Sequence, residues 1–309
     1  MKYCGIGGQA LMEGVMMRNG RDYACAVRKT DGEIVYNKGE HTGIGGSPRL
    51  RQIPFIRGPF VFLDSMKLGL TTLNWSSSFF MEEEEDKSEK AEEKEKTEKK
   101  SSAADNAVMG ASIVFAFALA IGLFVILPTS LVRLFKTWIS SPVWISLLEG
   151  VIRIGIFLLY LYLISLMKEI KRVFMYHGAE HKCINCIEAG LPLTVENVRK
   201  STRYHKRCGT SFILFTLLVS IFVGIFLPKE PLLLRIGCKL LALPVVMSLS
   251  YEFIRLAGST DNKIIGALSM PGLWLQRLTT REPSDDMIEV GMASVEAVFD
   301  WKDWEEKNF

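Results

Sequence analysis

Four long runs of apolar residues divide the chain, and each could cross the hydrocarbon core of a bilayer as a helix. They cover residues 107–127, 143–167, 211–227 and 232–254. The remaining segments are polar, charged or of mixed pattern. The hydrophobic pattern therefore predicts an α-helical integral membrane protein with four transmembrane helices.

Basic residues are distributed unevenly among the segments that join these runs. Residues 128–142 contain two Lys or Arg residues and residues 228–231 contain one, whereas residues 168–210 contain nine. Because cytoplasmic loops are enriched in Lys and Arg, we expect both termini and residues 168–210 to be cytosolic. The start of the chain has glycines and a Glu where a cleaved signal has an apolar core. The predicted location is the cytoplasmic (inner) membrane, crossed several times.

Residues 1–58 predict a small cytosolic unit that is rich in β-structure. Residues 22–39 hold two runs of β-forming residues around Asp31 and Gly32, a dipeptide typical of hairpin turns. The glycine-rich residues 5–8 lack the spacing of a nucleotide-binding loop, and we predict no strand before them. Glu13 and Arg18 are interpreted as exposed surface charges.

The other polar segments predict helices and a spacer. Residues 59–81 are apolar but too short to span a bilayer, so we expect an amphipathic interfacial helix. Residues 82–106 are predicted to be a charged linker, in which acidic and basic residues leave nothing to bury, so the segment is either disordered or a solvated single helix held by i, i+4 pairs. In residues 257–309 we expect an interfacial segment at 271–281 and a final amphipathic helix from Ser284 to about Phe299.

Composition supports the prediction of a membrane protein and restricts the classes of partner that the chain is expected to bind. With 49% hydrophobic and 23% charged residues, the chain is too apolar for a soluble protein and too charged to be wholly embedded. The lipid bilayer is therefore the first expected partner, and other membrane proteins are further candidates. The net charge of +3 is too small to predict binding to nucleic acid.

The candidate chemistry is concentrated in residues 168–210. His177, Glu180 and His181 form the pattern H-x-x-E-H, in which two imidazoles can bind zinc while the carboxylate activates water. At about 100° of helix per residue, Glu180, His181 and Glu188 lie at about 300°, 40° and 20° from His177. These four side chains therefore share one helix face. A short helix after Thr194 would bring His205 and Cys208 back toward it as further ligands.

A zinc knuckle is the competing interpretation of the same segment. Cys183, Cys186, His205 and Cys208 have the spacing C-x2-C…H-x2-C. On a continuous helix the first two cysteines point away from the histidine face, so the knuckle needs a helix break at or before Cys183. Gly190 and the following Pro192 are the clearest stop signals, and they favour a helix that passes both cysteines. A hydrogen-bonded network without metal is the third interpretation.

Two of the apolar runs contain charged residues of their own. Glu149 and Arg153 lie one helical turn apart, as do Arg235 and Lys239. Ionisable residues inside a membrane are costly and usually functional. However, all four lie near the predicted outer interface, where long basic chains can extend to water, so we favour packing and snorkelling.

Five motifs resemble the YqhQ-like family of uncharacterised bacterial polytopic membrane proteins, whose members are often labelled predicted metal-dependent enzymes. They follow one another over most of the chain outside the charged linker: GGQALMEGVMMR, RGPFVFLDSMKLG, YHGAEHKCINCIEAG, LTVENVRKSTRYHKRCGTSF and PGLWLQRLTTREP. The resemblance implies a polytopic membrane protein and draws attention to His177, Glu180, His181, Glu188, His205 and Cys208. Cys183 and Cys186 are not fixed in the family pattern, and Lys206 stands where Pro is usual, which weakens the knuckle.

Two functions of different classes are consistent with these residues. In the first, the protein is a membrane-bound metal-dependent hydrolase that uses zinc or a similar divalent transition metal. His177 and His181 are then ligands, Glu188, His205 or Cys208 complete the site, and Glu180 is the general base. In the second, the cluster is structural, and the protein is a non-catalytic scaffold or accessory factor in protein export or membrane assembly.

Overall fold

The computed structural model is mostly helical, with one small sheet near the N-terminus. The structure describes residues 2–43, 53–89, 103–135, 137–139, 141–260 and 262–309. The chain forms two compact units. The first comprises Met1–Glu83, Leu161–Phe215 and Met247–Phe309, and the second comprises Glu84–Tyr160 and Thr216–Val246.

The sheet in the first unit has four antiparallel strands in sequence order. They are β1 Ile6–Leu11, β2 Gly14–Asn19, β3 Asp22–Arg28 and β4 Ile34–Glu40. The hairpin predicted around Asp31 and Gly32 is confirmed, since it joins β3 to β4 and Gly32 has a φ of +90°. The hairpin β1–β2 was not predicted, and its tight turn places Glu13 at a φ of +50°.

Helices cover both faces of this sheet. Helix α1, Arg57–Glu89, packs Leu68 against one face, which contributes Met16, Cys25 and Val27. The other face packs against two helices, α5 Lys168–Glu188 and α10 Asp285–Glu296. Successive side chains of a strand point to opposite faces, so Val15, Met17 and Ala26 lie in this second cluster.

Four helical stretches among the described residues are long and apolar enough to cross a membrane, which confirms the four-span prediction. The first runs through α2 Ala103–Ile121, a π-helical segment Gly122–Ile126 and α3 Leu127–Arg133. The others are α4 Pro142–Ile164, α7 Gly209–Phe226 and α8 Leu232–Ser259. The chain is therefore a multi-pass membrane protein.

The polar segments differ from the prediction mainly in their boundaries. Helix α1 is longer than the predicted 59–81 and continues to Glu89. Residues 90–102 of the predicted charged linker lie outside the described residues. The short helix after Thr194 is α6, Val195–Lys200, and Thr194 caps it by accepting a hydrogen bond from the Asn197 amide.

The C-terminal region contains three helices where one segment and one helix were predicted. Residues 271–281 fall mostly within α9, Lys263–Thr279, which begins earlier because Asn262 caps it. The predicted final helix ends at Glu296 as α10, and Asp300 then caps a further helix, α11 Trp301–Asn308. The interfacial interpretation of 271–281 is incomplete, because Leu275, Gln276 and Thr279 are buried although Trp274 is exposed.

Candidate metal centre

His177 and His181 project from one face of α5, as the helical spacing predicts. Their rings lie 4.4 Å apart between centroids. The Nδ1–H of His177 donates to the carbonyl oxygen of Thr279 at 2.8 Å, and that of His181 donates to the carbonyl of Arg203 at 2.6 Å. A backbone carbonyl can only accept, so in each ring Nε2 is the nitrogen that faces the candidate site. This is the arrangement by which outer partners orient metal-binding imidazoles.

Cys208 brings a thiol to these two nitrogens. It directly precedes α7, and its Sγ lies 3.3 Å from His177 Nε2 and 2.7 Å from Thr210 Oγ1. One donor atom from each of His177, His181 and Cys208 lies within 4.8 Å of the other two. Donors around a tetrahedral zinc are about 3.5 Å apart, so the three residues fit such an ion.

The protonation states of His177 and Cys208 favour the binding of a cation. Burial alone would raise the pKa of Cys208, but the neighbouring His177 and His181 hold it well below the usual value. Burial would lower the pKa of His177, but the Cys208 sulfur outweighs this effect and raises it to about 9. Without metal, a proton therefore stays on His177 beside a thiolate, and a metal ion would take the place of that proton.

Glu180 lies beside both imidazoles. Its carboxylate oxygen is 3.8 Å from His177 Nε2 and 3.9 Å from His181 Nε2, and its side chain is buried. Strand β1 passes directly over it, because a Cβ on Gly8 would lie only 2.7 Å from Glu180 Cγ. The N-terminal unit thus forms one wall of the candidate site.

The loop that returns Cys208 to α5 is held by side chains of that helix. Lys182 donates to the carbonyls of Arg199 and Ser201, and Asn185 donates to those of Thr202 and Tyr204. Since His181 binds the carbonyl between them, a nearly continuous row of loop carbonyls is satisfied by one helix face. The loop is therefore rigidly positioned although it contains little regular structure.

Glu188 and His205, two further predicted ligands, form a separate pair. Arg207 donates to Glu188 at 2.5 Å and to His205 Nε2 at 3.2 Å, so that nitrogen already has a partner. Burial alone would raise the pKa of Glu188, but His205 and Arg207 lower it to about 2. Burial lowers the pKa of His205. The structure therefore does not bring these two residues into the group of three donors.

The cysteines of the alternative knuckle lie elsewhere. Cys183 and Cys186 belong to the hydrophobic core formed by α5, α10 and the sheet. Helix α5 passes both without a break and ends before Gly190, which has a φ of +69°. Burial raises the pKa of Cys186 to about 11, so it stays protonated. The knuckle is not formed.

Sequence reasoning missed the contribution of the C-terminal region to the site. Gln276 is fully buried, accepts from the amide of His205 and donates to its carbonyl. The carbonyl of Thr279 orients His177, and the carbonyl of Arg281 packs so closely on Gly178 that a Cβ there would collide with it. The motif PGLWLQRLTTREP contains these residues, and it was the available signal.

Two predicted surface charges are also paired. Glu13 accepts hydrogen bonds from Arg172 and from the Tyr176 hydroxyl at the start of α5. Arg18 lies 3.5 Å from Asp64 of α1. These contacts fix α5 and α1 to the sheet on either side, so both residues are structural links within the unit.

Two cavities meet at the candidate centre, and both are lined by His177, Glu180, Arg207 and Cys208. The smaller, of about 240 Å³, also contains His181, His205 and the glycines of the chain start. The larger, of about 500 Å³, extends among apolar side chains of α1, α5, α7 and α8. The candidate donors are therefore accessible to a small molecule.

The charges within the membrane spans form a second cluster, in the other unit. Glu149 accepts hydrogen bonds from Arg153 at 2.8 Å and from Arg235 and Lys239, and Thr129 donates to it at 2.9 Å. We call Glu149, Arg153, Arg235 and Lys239 the ionic cluster. Snorkelling was the wrong interpretation, because the basic chains converge on one buried carboxylate instead of extending to water.

Comparison with known proteins finds a matching family and a similar protein. A family model described as "Protein of unknown function (DUF1385)" matches residues 53–301. "Uncharacterized protein YqhQ" of Bacillus subtilis (strain 168) is 38% identical over 289 residues, which cover 93% of this chain and 90% of that protein. No solved structure matches the chain.

Proposed function

This chain belongs to the DUF1385 family, and we propose that it is a membrane-bound metal-dependent hydrolase with an ion at His177, His181 and Cys208. One observation carries the proposal: both imidazoles are fixed by backbone carbonyls through Nδ1, and the Cys208 sulfur lies beside them. Imidazole and thiolate together suit zinc among the common divalent ions. Zinc is therefore the ion we propose.

Three protein ligands leave one position of a tetrahedral ion open, as in catalytic zinc sites. The bound ion would supply the Lewis acidity that makes water a nucleophile near neutral pH. Glu180, close to both Nε2 atoms, would accept a proton from that water as its oxygen bonds to the electrophilic carbon or phosphorus of the substrate. Glu180 would then return the proton to the leaving group as the old bond breaks.

A scaffold remains the second candidate, and the position of Glu180 favours it in one respect. A carboxylate this close to both imidazoles could itself bind the ion and complete a closed four-residue shell. Such a site would be structural and would fix α5 to the start of α7. The protein would then be a non-catalytic factor in the membrane, in protein export or membrane assembly.

The first experiment is elemental analysis of the full chain in detergent, with wild type beside the double variant His177→Ala, His181→Ala. We expect about one equivalent of zinc or a similar ion in wild type and a loss of it in the variant. Absence of metal from wild type after reconstitution with zinc or iron would overturn the metal centre.

Glu180→Gln separates hydrolase from scaffold. The amide cannot accept a proton as the carboxylate does, so a hydrolase variant should keep its metal and lose function by a factor of about 10²–10⁴. A deletion strain that Glu180→Gln complements as fully as wild type would instead favour the scaffold. Glu196→Gln is the control, because it makes the same carboxylate-to-amide change at an exposed residue. Lys182→Arg would be unsuitable, because the Lys182 amine is buried and hydrogen-bonded.

The location is proposed on the charge pattern of the sequence. Residues 168–210 hold nine basic residues, and four spans return the chain to the side on which it starts. We therefore place both termini and the candidate centre on the cytosolic side of the cytoplasmic membrane. A reporter inserted near Glu196 should be active only as a cytosolic fusion, and an external signal would reverse the assignment.

A further inference from the structure

The larger cavity at the candidate centre combines the candidate donors with a lining that is mostly apolar. Its lining contains His177, Glu180 and Cys208. Beyond them the walls are mostly apolar: Val61 and Phe62 from α1, Phe174 from α5, Phe212 from α7 and Ile254 from α8. We call this cavity the apolar groove.

Two walls of the apolar groove belong to helices that span the membrane. Phe212 lies in the first turn of α7, and Ile254 lies near the end of α8. The start of α7 and the end of α8 lie at the same side of the membrane because the two spans follow each other. The groove therefore lies at the depth where lipid headgroups meet their hydrocarbon chains.

The third wall, α1, is held against α8 and exposes apolar side chains on its other side. Arg57 makes a two-point hydrogen bond to Glu252 of α8, at 2.7 and 2.5 Å. Next to it, a Cβ on Gly58 would lie 2.7 Å from the Ser248 backbone, so the helices are in direct contact. The opposite side of α1 exposes Leu63, Leu70 and Leu73, as an interfacial helix does.

We propose, building on the proposed hydrolase, that its substrate is a membrane amphiphile of which one hydrocarbon chain lies in the apolar groove. The bond to be hydrolysed is the one that joins this chain to its polar part, which then lies beside Glu180. Water would add its oxygen to the carbonyl carbon at the head of the chain, the bond from that carbon to the polar part would break, and the polar part would leave with the proton.

A hydrocarbon chain suits this cavity better than a peptide. Apart from the candidate site and Arg207, the polar side chains in the lining are those of Gln9, Ser65, Thr210 and Tyr251. These would pair few of the backbone groups of an extended peptide, and burying the others unpaired would be costly. A helix is about 10 Å wide, so a cavity of 500 Å³ would hold little more than about one turn of it. A flexible chain needs no polar partners and can enter from the bilayer.

Photolabelling tests the proposal on the full chain in vesicles of phosphatidylglycerol and phosphatidylethanolamine. Two probes are used in separate arms: phosphatidylglycerol with a diazirine on one acyl chain, and free palmitic acid with the same group. We expect adducts on the peptides that contain Phe62, Phe174 or Phe212. Labelling by the lipid probe would support a membrane amphiphile with a hydrolysable bond, and labelling by the free acid would support a groove that holds the chain released by hydrolysis.

Val61→Trp and Leu63→Trp form a matched pair on α1. Val61 lines the groove, whereas Leu63 is 42% exposed on the other side. The first variant should lower groove labelling by at least about fivefold because the added ring fills the space, and the second should leave it unchanged. Equal labelling in both, or adducts only outside the groove, would overturn the proposal. Unchanged metal content and melting temperature confirm that each variant is folded.

The same samples separate this inference from the proposed function. The double variant His177→Ala, His181→Ala should lose metal but keep groove labelling, because no wall residue of the apolar part changes. Labelling without any metal in wild type would leave a lipid-binding groove and refute the hydrolase. Metal without labelling would refute only the lipid. Labelling by a diazirine-bearing apolar peptide instead of both lipid probes would also refute it.

Discussion

Cys208 Sγ lies 3.3 Å from the Nε2 of His177, although 31 residues separate them in the chain. The contact exists because α5 carries the imidazole, and the loop after α6, which side chains of α5 hold by hydrogen bonds, brings the thiol back to it. A third donor, His181, lies one helical turn from the first. Position in the fold, rather than spacing in the sequence, thus defines the candidate ligand set.

Cys208→Ala should abolish metal binding, whereas Cys186→Ala should leave it intact. The first change removes a donor, and we expect the affinity for zinc to fall by more than the roughly 10–100-fold typical of outer partners. Cys186 is a buried core residue outside the group of donors. Competition with a zinc-binding dye measures both affinities. Equal loss in the two variants would show that folding, not ligation, was affected.

His205→Gln should keep about one equivalent of metal, unlike His177→Gln. His205 Nε2 is already bound by Arg207, whereas His177 Nε2 faces Cys208. Both substitutions replace an imidazole by a side chain of similar length, so they are a matched pair. Metal content per protein after gel filtration is the measurement. Loss of metal in His205→Gln would extend the ligand set to the Glu188 pair.

Gly8→Ala should damage the site, and Gly7→Ala should not. A Cβ on Gly8 would meet Glu180 Cγ at 2.7 Å and the Met16 carbonyl at 2.8 Å, whereas a Cβ on Gly7 meets nothing within 4 Å. Overpacking of this kind costs about 1–3 kcal/mol, and here it also moves the proposed base. Thermal unfolding and the function tested for Glu180→Gln are the measurements. Two equally tolerated variants would mean that β1 does not position Glu180.

Stability should fall between about pH 4.5 and pH 2 in a way that depends on Glu188. Its pKa is about 2 in the folded protein and near 4.5 when unfolded, so its stabilisation is complete above pH 4.5 and is lost as the pH falls toward 2. The shift corresponds to at most about 3 kcal/mol. Unfolding of Glu188→Gln in detergent should show a weaker pH dependence. Glu196→Gln, at an exposed site, should keep the wild-type slope.

Glu149→Gln should destabilise the protein far more than Lys239→Met. Glu149 is the only acidic member of the ionic cluster, so its neutralisation removes the shared carboxylate partner of two buried cations, Arg153 and Arg235, and of the partly buried Lys239. Breaking a buried pair in this way costs about 3–5 kcal/mol. Removing Lys239 instead lowers the excess of positive charge. The measurements on both variants are the melting temperature and the fraction of protein inserted in the membrane. Equal destabilisation by the two substitutions would argue against an ionic role for Glu149.

The sequence predicted those parts that depend on regular spacing. Apolar run length predicted the four spans, and 3.6-residue periodicity predicted that His177, Glu180 and His181 share a face. Asp31 and Gly32 predicted the β3–β4 hairpin because this dipeptide suits its turn. Each of these features depends on residues that are close in the chain.

What the sequence could not predict depends on backbone groups and distant packing. Every residue has a carbonyl, so nothing in the sequence distinguishes those of Arg203 and Thr279, which orient the two imidazoles. Strand β1 was missed because its glycines interrupt the alternation of apolar and polar residues, although Gly8 is needed for contact with Glu180. The resemblance to a family singled out Cys208, but only the fold separates it from Glu188 and His205.

The bond from His177 to Thr279 has a consequence for biosynthesis. His177 precedes the third span, whereas Thr279 follows the fourth, so the ribosome makes the two partners far apart in time. The imidazole cannot adopt its final orientation until the last span has been inserted and α9 has formed. A nascent or truncated chain that lacks α9 would therefore present His177 without its orienting partner, whereas His181 could already bind the carbonyl of Arg203. The candidate site is therefore completed only at the end of membrane insertion.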